Sequence, residues 1–132
     1  MYDFFNSSEE FAELMKITNY VEDAEILPTQ SYQIGLQLAE AEREYNLLHE
    51  KRKATEAEKY WNIKQTALKD GTKLTIKDMD SMVESDETIN KLKEQEINAK
   101  YEADKLRAAA NAVNQKAMLL QGIIKMRSGG MQ

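Results

Sequence analysis

Residues 87–127 read ETINKLKEQEINAKYEADKLRAAANAVNQKAMLLQGIIKMR, and their spacing decides the fold. Ile89, Leu92, Glu96, Ala99, Ala103, Leu106, Ala110, Val113, Ala117, Leu120 and Ile124 recur at three- and four-residue intervals without a slip. Ten of these eleven positions are apolar, so one stripe of a long helix must be buried against another helix. The stripe is rich in Ala, which lets helices approach closely. The helix is expected over 86–127. Ser85-Asp86 supplies its start signal, and residues 128–132 form a fraying tail.

The upstream chain supplies the partner. Thr29 to Lys69 holds one glycine, Gly35, and no proline. Ile34, Leu38, Ala41, Tyr45 and Leu48 form a 4-3-4-3 seam, the mark of coiled-coil packing. The apolar pattern then fails, because Arg52, Thr55, Lys59 and Asn62 follow. A second row (Leu47, Ala54, Ala57, Trp61 and Leu68) is expected to take over on a rotated face. This predicts a second long helix over 29–69, about 60 Å long at ~1.5 Å per residue. Asp70-Gly71 ends it. Residues 70–85 read as a linker with a short helix near 76–84, capped by Thr75 and Asp78. A connection of this length lets the long helices fold back antiparallel. Ser7 and Glu10 form another capping-box pattern, which predicts a short N-terminal helix over about 8–21, closed by Pro28.

The expected fold is therefore all-α and a single domain, 1–132. It has two long antiparallel helices, short N-terminal and linker helices, and coiled-coil packing. Two paired helices bury little by themselves, so a homo-oligomer is expected to cover the remaining apolar faces.

Composition limits the chemistry. The 132 residues are 42% hydrophobic and 31% charged, with Gly 5 and Pro 1. That suits one folded domain and supplies too few turn-formers for a β-sandwich. The absence of Cys excludes disulfides, thiolate metal sites and a cysteine nucleophile. His49 is the only imidazole. No Gly-x-Ser-x-Gly elbow accompanies it, and Asn46 stands where a Glu-x-x-His metal motif needs Glu. Asp78-x-Asp80 fails as a calcium loop, because Val83 and Ile89 stand where Gly and Glu are required. A non-enzyme with no cofactor and no metal is expected. The N-terminus lacks a basic and apolar leader, and no apolar run approaches a bilayer span, so a soluble, cytoplasmic chain is expected.

The net charge of −5 hides an asymmetry. Residues 1–50 carry two basic and eleven acidic residues; residues 51–132 carry sixteen and twelve. Between Lys51 and Lys77 there are eight basic residues and only three acidic ones. Tyr60 and Trp61 lie inside that stretch. Single-strand binders combine phosphate-tracking cations with aromatics on which bases stack. The expected nucleic-acid contacts are Lys51, Arg52, Lys53, Lys59, Tyr60, Trp61 and Lys64.

Thr75-Ile-Lys-Asp-Met, Val83-Glu-Ser-Asp86 and Leu120-Gln-Gly-Ile-Ile-Lys-Met-Arg127 resemble the UvsY-type recombination mediators of T-even-like phages. The resemblance covers roughly the last 60 residues. Upstream only the layout is shared: a charged helix with basic residues and paired aromatics, then a Gly-containing loop. The acidic N-terminal half departs from the family pattern. The resemblance implies a ring-like homo-oligomer that binds single-stranded DNA. It also implies help in loading a RecA-type recombinase onto DNA covered by single-strand binding protein, without hydrolysis. By layout, the family's basic patch falls near Lys59 to Lys64. The competing expectation is a coiled-coil structural or adaptor protein of a phage particle, with Trp61 in the core and no nucleic acid.

Overall fold

The computed structural model describes residues 20–130, with side chains over residues 24–126. Three helices contain almost all of them: α1 (Tyr20–Asp70), α2 (Ile76–Glu84) and α3 (Glu87–Gly130). No strand occurs among the described residues. The helix expected over 8–21 lies almost wholly outside the described residues. The described chain packs as two units. One contains the residues up to Ala41 and those from Glu102 onward; the other is Glu42–Tyr101.

In the first unit, Leu27, Ile34 and Ala41 of α1 pack with Ala103, Leu106, Ala109, Val113 and Leu120 of α3. Leu38, Ala110 and Ala117 pack against this cluster, half-buried. These are the expected seam positions, with Leu27 and Ala109 added. Ile124 departs from the expectation, being 45% exposed. It lines an apolar cleft with Ala24, Ser31 and Ala117.

Pro28 does not end a helix. It lies inside α1, which begins at Tyr20 rather than near residue 29. Proline removes one helical hydrogen bond and crowds the preceding turn, at about 3 kcal/mol in a helix interior. Leu27 and Ile34, on either side of it, are both buried on the same face. Continuous packing of that face offsets the local penalty. At the other end α3 continues to Gly130, past the expected end at Arg127. Its glycines accept helical dihedrals at about 1 kcal/mol each relative to Ala.

The second unit holds the turn. α1 ends at Asp70, and Gly71 just past it has a φ of +68°, in the left-handed region that glycine enters freely. Thr75 caps α2 with a full capping box. Its hydroxyl accepts from the Asp78 amide at 3.1 Å, and the Asp78 carboxylate accepts from the Thr75 amide at 3.2 Å. Asp86 caps α3 by accepting from the Ile89 amide at 3.0 Å. Ile63, Met79, Ile89 and Leu92 are buried here, and Ala99 is half-buried. Lys59 reaches Asp86 and Arg52 reaches Glu96, so the α1 and α3 segments of this unit run antiparallel.

Candidate nucleic-acid interface

The apolar seam of α1 stops at Leu48, yet the buried face does not rotate. Arg52, Thr55 and Lys59 stay half-buried on the original face, and Ile63 restores an apolar residue. The expected replacement row is exposed instead. Leu47 is 60%, Trp61 60% and Leu68 67% exposed, and Ala54 and Ala57 are also exposed. The seam stays put because α3 carries polar partners for it.

Glu96 is central to that arrangement. It is the one polar residue of the α3 stripe and is only 9% exposed. Arg52 Nε donates to one of its oxygens, and His49 Nδ1 meets the other. Arg52 Nη1 also donates to both oxygens of Glu56 at 3.1 Å. Lys93 lies 3.9 Å from Glu56, and Tyr45 stacks on His49 with ring centroids 6.0 Å apart. The Arg52 guanidinium holds the Glu96 carboxyl below the ordinary carboxylate range. The His49 contact adds to this, and burial opposes it. The same bond to Glu96 raises Arg52 above its ordinary value. With Glu96 ionised, His49 must present an N–H at Nδ1. The next polar contact is Lys59 Nζ to Asp86, at 3.3 Å. The Asp86 carboxyl is held below its ordinary value first by the Ile89 amide and then by Lys59.

This geometry divides the expected contact residues into three sets. Arg52 and Lys59 face α3 and are neutralised there. Tyr60 is half-buried and lines a cleft with Lys53, Glu56, Asp80, Val83, Glu84 and Lys93. Three carboxylates against two ammonium groups make that cleft a poor seat for phosphate. Trp61 stands about 100° further round the helix from Tyr60 and points outward. Lys53, Ala57, Trp61 and Lys64 form one exposed stripe at three- and four-residue spacing. Lys51 and Lys69 flank Trp61 on its other side. None of Lys51, Lys53, Lys64 and Lys69 makes an ion pair with a described residue, nor do the exposed Lys73 and Lys77 beyond the turn.

The expected contact set includes Arg52 and Lys59, which are paired to the carboxylates of Glu96 and Asp86, and omits the exposed Lys69, Lys73 and Lys77. One signal could have separated them. Arg52 and Lys59 interrupt one helix's apolar stripe, as Glu96 interrupts the other's. Cations further along α3 do not extend the patch: Lys105 lies 3.8 Å from Glu102, and Arg107 lies 2.8 Å from Asp104. Among the described residues no three His, Asp or Glu side chains gather as metal ligands, and no helix is long and apolar enough to cross a membrane. Comparison with family models, curated proteins and solved structures finds no match to this chain.

Proposed function

We propose that this protein binds single-stranded DNA through the outward face of α1 around Trp61, without catalysing a reaction. We further propose that it acts as a homo-oligomeric recombination mediator that assists loading of a RecA-type recombinase. One observation carries the binding reading: a largely exposed tryptophan lies between lysines that have no carboxylate partner among the described residues. A base can stack on the indole while Lys53 and Lys64 on one side, and Lys51 and Lys69 on the other, meet phosphates. The mediator role rests on the resemblance to the UvsY-type proteins. Single-strand binding protein on the DNA is the obstacle such a mediator relieves.

Trp61 is the only tryptophan, so it reports on its own site. Titration with a single-stranded oligonucleotide should quench its fluorescence. Lys53→Ala with Lys64→Ala should weaken the titration without changing helix content. Unchanged Trp61 emission at saturating oligonucleotide and low salt would refute stacking at this face.

A second reading, a coiled-coil adaptor without nucleic acid, is favoured by a different observation. Leu47, Ala54, Trp61 and Leu68 recur at intervals of seven residues, the period of a helix-pairing seam. Under that reading the lysines serve solubility and DNA leaves the emission unchanged.

A further inference from the structure

The exposed row on α1 matches itself. A two-fold axis passing between Ala57 and Glu58, perpendicular to the helix, would bring a second α1 alongside in antiparallel orientation. Leu47 then faces Leu68 of the second copy, and Trp61 faces Ala54, a large side chain against a small one. Ala57 lies beside the axis, where a methyl group permits close approach. Glu50 and Lys64 occupy the same flank of the row, so each meets its opposite charge on the other copy. Isologous pairing requires this kind of self-complementarity. Glu58, on the other flank, meets its own equivalent near the axis. That like-charge contact keeps the pairing weak.

We infer that, without DNA, the Trp61 face of α1 is covered by the same face of a second copy, and that single-stranded DNA must displace it. The inference rests on the DNA-binding reading and adds its regulation. The row that pairs two copies includes Trp61 and engages Lys64, so one surface cannot serve both partners at once. Self-pairing also shields an exposed apolar row from non-specific association. Apparent DNA affinity falls in proportion to the unpaired fraction, about tenfold if one tenth of the protein is unpaired.

The test uses the full chain. Sedimentation of wild type is compared with the Leu47→Gln, Leu68→Gln double variant, whose changes are solvent-exposed and outside the lysine stripe. The double variant should keep its helix content, halve the sedimenting mass and bind a labelled oligonucleotide several-fold more tightly. Glu50→Lys alone and Lys64→Glu alone should each halve the mass, and the two together should restore it. An unchanged mass in the Leu47, Leu68 variant, or no restoration in the charge swap, overturns the pairing. Halved mass with unchanged DNA affinity overturns the competition. Wild type that binds no oligonucleotide refutes the DNA-binding reading and the competition with it. The mass series still decides the pairing in that case.

Discussion

Glu96 shows most clearly how a single residue places the rest. A carboxylate in a buried stripe is costly unless it is paired and hydrogen-bonded. Arg52 and His49 satisfy it, and Arg52 in turn holds Glu56. Removing Arg52 leaves the buried carboxylate with only its His49 contact. Arg52→Ala is expected to lower stability by about 2 kcal/mol, read from chemical denaturation. Replacing both members, Arg52→Leu with Glu96→Leu, should cost far less than that or nothing, because the desolvation penalty disappears with the charges. A double variant as unstable as Arg52→Ala would show that the charged pair is itself net stabilising, against the desolvation argument. The pH dependence has a definite sign. The folded carboxyl of Glu96 titrates below its ordinary value. Its stabilising contribution is therefore complete above the ordinary carboxylate range, and it is lost as pH falls through the lowered folded value. Glu96→Gln should flatten the acid limb of the stability profile. This centre was half legible beforehand: Glu96 stood out in the stripe, but its partner lay more than forty residues away. One sequence offers no direct signal for a contact across that separation.

At the scale of elements, local chemistry was the most readable part. The Thr75–Asp78 box, the Asp86 cap and Gly71 stand where capping and left-handed backbone rules put them. Gly71→Ala should cost about 1 kcal/mol, because alanine must adopt a positive φ there. Thr75→Ala should cost a similar amount, about 1 kcal/mol, by freeing the α2 amides. A loss of only a few tenths in either variant would mean the turn holds through packing alone. Pro28 was misread because a rule about local backbone preference was overruled by burial on either side. Leu27 and Ile34 keep the helix running through it. Pro28→Ala should therefore raise the melting temperature, by the equivalent of about 2 kcal/mol. A lower melting temperature would mean that the proline contributes packing that the helix needs. The seam of α1 was misread for a related reason. Apolar periodicity detects only apolar burial, so it places a rotation where the seam becomes polar. The Leu47–Leu68 row was then expected to take over on a rotated face, whereas Leu47, Trp61 and Leu68 are exposed.

For the whole molecule, charge is distributed differently in the fold than along the sequence. The Lys51–Lys77 stretch is basic in sequence, but the fold neutralises Arg52 and Lys59 against α3. What remains is a narrower set of lysines around an outward tryptophan. The helical class and the long stripe of α3 could be read from periodicity alone. Which cations stay available could not, because that depends on carboxylates carried by another helix. The same distinction bears on salt dependence. Each lysine that meets a phosphate on single-stranded DNA contributes about 0.7 to the magnitude of the slope of log affinity against log salt. Four lysines flanking Trp61 would therefore give a slope near −3. Neutralising Lys53 and Lys64 should reduce its magnitude by about 1.4. Arg52→Gln should leave the slope unchanged, because Arg52 is committed within the fold.

The most direct test of DNA binding at the Trp61 face is fluorescence anisotropy of a labelled single-stranded oligonucleotide, titrated with the full chain at several salt concentrations. Saturable binding that weakens steeply with salt is expected, with a slope that the Lys53→Ala, Lys64→Ala variant reduces. Absence of binding at low salt by folded protein, or a slope indifferent to those two lysines, would contradict it.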